Sequence, residues 1–406
     1  MSRLSELAHR FARVTSSGNY VPQIDGLRFL AITPVLFFHA ALRGERISIN
    51  LPPDDQLATS WIPAGQVGVS LFFFVSGYII SFPFLAGRAP RLQDFYARRL
   101  MRLHPPYVIV LLCCFLIVSV YTPRNAPNFE FTSAPAWHSL IASLFYVHGL
   151  VFGENPKLNP PAWSLEFEMQ FYLVAPLLLY LYLKIKNRTL RRCLGAALCV
   201  ALIILGQWIA ENFVRQHPLR HSVLIDAYAF VLGILVCDYA VTAQPSSLNS
   251  DRRYDLLLVL GYVGLLITGS LEYNLFSPVL SVLNTVARAI CILCVFAGAF
   301  RGALGRRVLG SPWIAFIGGA CYSIYLVHVP VMHAGSALIV HVMTPTSLWV
   351  AWVISWVVLI PLSVAVGLTF YLLVERPLMR PDWARELLAA MTARERRDKA
   401  ATPVAR

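Results

Sequence analysis

Charge is scarce in this chain. Asp, Glu, Lys and Arg make up 14% of its 406 residues, against about a quarter in water-soluble domains, which excludes an ordinary soluble globular protein. Acidic residues are the scarcer sign: 21 Asp+Glu face 34 Lys+Arg, a formal net charge of +13. Low-complexity tracts and internal repeats are missing, and a hydrophobic content of 57% excludes a disordered or fibrous chain. The opening stretch MSRLSELAHRFARVTSSGNY lacks the apolar core of a signal peptide, so the first hydrophobic helix is expected to be its own insertion signal. Metal-ligand spacing is lacking too. Of eight cysteines only Cys291 and Cys294 form a CxxC, inside VARAICILCVFAGAF with no second ligand pair nearby. They read as small apolar residues of lipid-embedded helices, not as a disulfide framework or a zinc site.

What is abundant is apolar length. A membrane span needs about 17–25 mostly apolar residues. About ten stretches qualify: 24–43, 66–86, 106–121, 163–183, 192–210, 222–242, 254–271, 277–300, 313–341 and 347–375. An eleventh, His138–Phe152, is short and flanked by Pro-rich loops. Lys and Arg near span ends prefer the cytoplasm, and this decides between the two counts. With ten crossings, Arg3/Arg10/Arg13, the basic stretch GRAPRLQDFYARRLMRLH, Lys184–Arg192, Arg252/Arg253, Arg301–Arg307 and the tail after Arg376 all fall inside. With eleven, the basic loop after residue 183 faces outward and every later loop flips with it. The expectation is therefore an all-α, polytopic membrane helix bundle of about ten transmembrane helices, with His138–Phe152 re-entrant or interfacial. Residues 1–20 form a cytoplasmic N-terminal segment, 21–377 the membrane domain, and 378–406 a cytoplasmic basic tail. The tail sequence WARELLAAMTARERR fits an amphipathic segment on the inner leaflet and a solvated tail equally well. Positive charge arranged this way is topology information, and nucleic acid is not an expected partner.

Ionisable residues inside a span cost about 2.5–3.5 kcal/mol each on insertion scales, so each asks for a reason. The first span, QIDGLRFLAITPVLFFHA, holds Asp25, Arg28 and His39. Eleven residues separate Arg28 from His39, about 20° past three full turns, which places both on one helix face about 16 Å apart. A snorkelling Arg and a satisfied core His would also give this composition, but neither requires a shared face.

The stretch YVPQIDGLRFLAITPVLFFH (Tyr20–His39) resembles the opening signature of the acyltransferase-3 family of membrane proteins, an Arg-x10-His motif. Further matches follow in the same order. GQVGVSLFFFVSGYII (Gly65–Ile80) resembles the second-helix motif, and FYARRLMRLHPPY (Phe95–Tyr107) the Arg-x-x-Arg loop, with Arg99 and Arg102 as the pair. WSLEFEMQFY (Trp163–Tyr172) matches Trp-Ser-Leu-x-x-Glu-x-x-Phe-Tyr with Glu168 in the acidic position, and SIYLVH (Ser323–His328) and Glu375-Arg376-Pro377 match the closing motifs. Two positions depart from the pattern: Ser70, where many members are acidic, and Glu166, where many carry Ser.

The resemblance implies O-acyl transfer, usually of acetyl from acetyl-CoA, to a hydroxyl of a carbohydrate, a lipid-linked glycan or a related cell-envelope or secreted acceptor. Residues 21–377 are then a membrane acyltransferase domain in the inner membrane of a bacterium, with both termini cytoplasmic. The residue chemistry agrees. Acyl transfer to an alcohol needs a base near neutral pH, and His39 fits. Coenzyme A carries a diphosphate and a 3′-phosphate, which Arg99 and Arg102 can hold from a cytoplasmic loop while Arg28 steadies the donor or lines its path. Glu168 is expected to orient His39 or bind the acceptor; Tyr172, Tyr325 and His328 are expected to line the substrate site. No cofactor is expected to be bound permanently, acyl-CoA being a donor substrate, and no metal is expected. Each residue has a plainer alternative: lipid phosphates for Arg99 and Arg102, a helix N-terminus for Glu168, and an interfacial belt for the tyrosines. Membrane lipids are partners on either reading. Some family members carry an extracytoplasmic esterase-like domain; this sequence shows none, so a separate extracytoplasmic protein is a further possible partner. The competing function is a proton-coupled transporter of a carbohydrate or lipid-linked intermediate through Arg28, His39 and Glu168. It leaves Arg99 and Arg102 unexplained.

Overall fold

The computed structural model describes residues 20–48, 62–125, 135–242, 252–271, 277–343, 345 and 347–379. Almost all of the N-terminal segment and the tail from residue 380 lie outside these residues. All regular structure among the described residues is helical, and the chain forms the polytopic all-α bundle that its hydropathy calls for.

Helix α1 (Pro22–Ile47) starts on a proline, whose missing N–H would have had no partner in a first turn, and Asp25 lies there against the helix dipole. It is followed by α2 (Gln66–Leu85) and α3 (Leu92–Asn125). Two short helices, α4 (Ala136–Leu144) and α5 (His148–Phe152), precede α6 (Trp163–Lys184) and α7 (Arg188–Asn212). The second half holds α8 (Ala227–Thr242), α9 (Arg252–Leu271), α10 (Pro278–Arg301), α11 (Pro312–Gly319), α12 (Cys321–Val342) and a long helical stretch, α13 (Leu348–Leu378). Among the described residues eight helices are long and apolar enough to cross a membrane: α1, α2, the Leu92–Val120 part of α3, α7, α9, α10, α12 and α13. The other two expected spans fall on α6 and α8. Glu166 and Glu168 lower the apolarity of α6, and α8 is only 16 residues long.

The third span differs from its expectation. The basic stretch 87–104 was expected to be a loop with the span starting at residue 106; instead α3 is helical from Leu92 and runs through Pro105 and Pro106. Arg99 and Arg102 therefore stand on a helix. The two prolines remove the N–H donors that would reach the Met101 and Arg102 carbonyls; one residue on, Tyr322 of α12 donates its hydroxyl to the Leu103 carbonyl at 2.6 Å. The expected ninth span, 313–341, is also two helices, broken at Ala320.

Helix direction bears on whether His138–Phe152 crosses. Gln66 and Asp226, at the starts of α2 and α8, are joined by a hydrogen bond of 3.1 Å, and Gly233 of α8 lies against Phe74 and Tyr78 farther along α2. The two helices thus run parallel. A crossing by His138–Phe152 would have made them antiparallel; instead this segment is α4 and α5, separated by a turn in which Tyr146 takes φ 59°.

Packing in the bundle relies on small residues, because lipid offers no hydrophobic drive for helix association. A Cβ on Gly77 would lie 2.1 Å from the Phe230 carbonyl oxygen, and one on Gly233 would lie 2.1 Å from that of Phe74. The α2–α8 contact is therefore backbone on backbone, flanked by Phe230 stacked between Phe73 and Phe171 at 4.5 and 4.0 Å. Cys291 and Cys294 do similar work on α10, where they face Gly261 of α9. Gly233→Leu should lower the amount of membrane-inserted protein and its thermal midpoint in detergent, since overpacking costs about 1–3 kcal/mol or more where backbones touch. Cys291→Ala should change neither. Equal stability of the two variants would contradict this description of the α2–α8 contact.

Candidate active site

Five helices converge on one cavity. Arg28 enters from α1, Ser76 from α2, Arg99 and Arg102 from α3, Glu168 and Tyr172 from α6, and Tyr325 from α12. Residues drawn from motifs up to about three hundred positions apart thus share one wall, although the sequence shows only their order.

Each charge is held differently. Arg28 is 8% exposed and its Nη1 pairs with Asp25 Oδ1 at 2.6 Å, the kind of partner an arginine in a span requires. The guanidinium of Arg99 lies over the rings of Phe95 and Tyr172, at 5.7 and 5.8 Å from their centroids, which stiffens it without neutralising it. Arg102 differs: its Nε is buried and has no hydrogen-bond partner. An unsatisfied cationic donor on a cavity wall is a place for an anionic ligand.

Glu168 was expected to orient His39 or bind the acceptor, and its hydrogen bonds go to neither histidine. Its Oε1 accepts from Ser76 Oγ at 2.6 Å and from the hydroxyl of Tyr172. Tyr172 thereby joins a Ser76–Glu168–Tyr172 cluster under Arg99. Tyr325 forms a second hydroxyl cluster, donating to the Pro161 carbonyl at 2.5 Å with Ser164 Oγ at 2.7 Å.

His39 has a different partner, His328, whose ring meets it edge-on with centroids 4.9 Å apart. Hydrogen bonding fixes both tautomers, since a carbonyl can only accept. His328 Nδ1–H donates to the Tyr325 carbonyl at 2.6 Å, so its Nε2 carries the lone pair. His39 Nδ1 lies 2.9 Å from the Val35 carbonyl and 3.4 Å from His328 Nε2, so this nitrogen holds the proton. The bare nitrogen of His39 is then Nε2. The pair is not among the cavity-lining residues but stands directly behind the wall, with the ring of Tyr325 5.5 Å from that of His328.

The sequence reading passed over other members. Ser76, Ser164 and Tyr322 lie within or beside the motifs, so position marked them, but nothing in residue type assigned them a task. Glu166, read only as a departure from pattern, is 1% exposed and accepts the backbone N–H groups of His148 and Gly149 at 3.1 and 2.9 Å. It clamps the start of α5 to α6, a role no spacing rule reveals. The closing motifs meet as well: Ser323 Oγ donates to Glu375 Oε2 at 2.5 Å.

Comparison with known proteins bears on this geometry. A model of the acyltransferase domain, Acyl_transf_3, matches residues 21–372. The chain is 25% identical over 342 residues to the O-acetyltransferase OatA of Staphylococcus aureus, covering 78% of this chain and 51% of that protein. It is 31% identical over 186 residues to the peptidoglycan O-acetyltransferase OatA of Listeria monocytogenes, covering 42% of this chain and 26% of that one. The chain spans about half the length of the S. aureus relative. No solved structure matches it. A family model that covers most of the chain, over helices that bring Arg28, Ser76, Arg99, Arg102, Glu168 and Tyr325 to one cavity, places this protein in the acyltransferase-3 family.

Proposed function

We propose that the chain is an integral membrane O-acetyltransferase that takes an acetyl group from acetyl-CoA at its cytoplasmic side and passes it to a hydroxyl of a cell-envelope or secreted carbohydrate. The observation that carries this reading is the convergence of Arg28, Arg99 and Arg102 on one cavity whose Tyr325 wall abuts His39 and His328. The relatives' names supply acetyl as the group and glycan as the acceptor class. Basic loops on one side of the bundle favour the cytoplasmic membrane of a bacterium with both termini inside.

On this reading the diphosphate and 3′-phosphate of the donor lie against Arg99 and Arg102, where the orphaned Arg102 Nε gains an acceptor. Arg28, held by Asp25, directs the thioester inward. From Arg28 to His39 is about 16 Å along α1, comparable to a pantetheine arm. The acceptor oxygen attacks the thioester carbonyl carbon as His39 Nε2 takes its proton. The tetrahedral adduct then collapses, the C–S bond breaks, and coenzyme A leaves as a thiolate that recovers the proton from the imidazolium. His328 Nε2 keeps the His39 proton on Nδ1, so it is a positioning residue. Glu168 holds Ser76 and Tyr172 in place beneath Arg99 and does not touch the base. The acceptor reaches His39 directly or through a separate extracytoplasmic protein that completes the transfer.

Two variants sets test this. Arg99→Ala and Arg102→Ala each remove a charge-assisted phosphate contact worth about 1.5–3 kcal/mol, so coenzyme A affinity of the purified protein should fall about ten- to hundredfold. Unchanged affinity in both would assign the pair to lipid phosphates instead. His39→Ala and His39→Gln should both abolish acyl-ester formation on surface glycans, normalised to membrane protein level, with coenzyme A binding retained. Gln keeps a hydrogen bond but cannot take a proton at neutral pH, so substantial ester formed by His39→Gln would remove His39 from the role of base.

A further inference from the structure

Beyond His39, on the side away from Arg28, α1 carries a cation that the proposed reaction does not use. Arg43 follows His39 by one turn, which places the two side chains on one face about 6 Å apart along the axis. Arg43 acts electrostatically on His39 and, across the interface with α12, on His333, which also feels Arg46. It is half-buried and makes no hydrogen bond or ion pair among the described residues. The charged side chain that acts on it is a second cation, Arg46. Glu45, the carboxylate between them in sequence, acts on Arg46. His333 Nδ1 is spent on the Val329 carbonyl at 3.1 Å.

A half-buried guanidinium whose charged neighbour among the described residues is a second cation is unfavourable until an anion joins it. Lipid phosphate is one source of such an anion, but the orientation of α1 weighs against it. Phe37, 41% exposed, lies on one outward side of α1, Arg46 is exposed on the opposite side, and Arg43 lies between them, about 120° from Phe37 and about 40° from His39. Arg43 instead faces the histidines. The distance from His39 matches the width of about one sugar ring, so an anion held at Arg43 would bring a hydroxyl of the same or the adjoining residue to His39 Nε2.

We infer that Arg43, with His333 and Arg46 beside it, docks an anionic group of the acceptor. The acceptor class is thereby narrowed to glycans that carry a carboxylate or phosphate close to the acylated hydroxyl. This rests on the reading of His39 as the base.

The test uses the full chain in detergent with coenzyme A at saturation, so that the donor cavity is filled. Thermal unfolding is followed against glucose and glucuronate, which differ in one carboxylate. Glucuronate should stabilise the protein and glucose should not. Arg43→Gln should raise the half-saturating glucuronate concentration about ten- to hundredfold, and Arg43→Lys should retain most of the effect. Coenzyme A stabilisation, measured in the same samples, should be equal in all three proteins; it reports the fold of each variant and the donor site separately from the anion site. Equal effects of glucose and glucuronate, or an unaltered glucuronate effect in Arg43→Gln, would overturn the inference while leaving acyl transfer standing. A repeat in phosphatidylcholine nanodiscs with and without phosphatidylglycerol separates the sources: if phosphatidylglycerol abolishes the glucuronate effect, Arg43 is a lipid anchor and the inference fails.

Discussion

A charged side chain inside a bilayer must find its partner within the protein, and this constraint organises the bundle. Arg28 is held by Asp25, and Glu168 by Ser76 and Tyr172. Asp238 is bound by Arg191, Arg192 and Tyr182 near the ends of α6, α7 and α8. His39 is held by the Val35 carbonyl and His328. Every one of these arrangements joins residues one helical turn apart or helices in close contact, so the polar groups and the packing specify each other. The exceptions are informative. Among the described residues Arg102 Nε lacks a hydrogen-bond partner at the cavity wall, and Arg43 makes no hydrogen bond or ion pair beyond His39. Where the protein leaves a cation unsatisfied, a ligand is the remaining means of satisfying it.

On the proposed reading, the Arg28 end of α1 faces the donor and Arg43, one turn beyond His39, faces the acceptor, which gives the reaction a direction. The cavity with Arg99 and Arg102 suits a phosphate-rich donor, and Arg43 suits the acceptor. His39 stands between, held in one tautomer with Nε2 bare. The close approach of α2 to α8 at Gly77 and Gly233 holds Ser76 where Glu168 can reach it, so the small-residue packing serves the site as well as the fold.

Much of this was legible in the sequence. Hydropathy and basic loops predicted the helical bundle and a non-crossing His138–Phe152, and the parallel run of α2 and α8 agrees with the latter. The Arg-x10-His spacing placed Arg28 and His39 on one face because helix geometry alone decides that. Helical continuity through Pro105 and Pro106 was not legible, since two adjacent prolines read as the end or start of a helix. Nor was the pairing of His39 with His328 in place of Glu168: residue type says that a buried imidazole needs a partner, but only packing says which. Glu166 was read as a mere departure from pattern because its ligands are backbone N–H groups, which every residue carries.

The central claim is that donor and acceptor meet at His39 from opposite faces of the membrane. Reconstitution into sealed proteoliposomes, with orientation fixed by labelling a cysteine at position 187, measures it directly. Acetyl-CoA labelled in the acetyl group is supplied on one face and a soluble peptidoglycan fragment on the other. The account predicts transfer only when acetyl-CoA shares the face of residue 187, and none in His39→Gln. Transfer that requires both substrates on the same face, or that persists without His39, would contradict it.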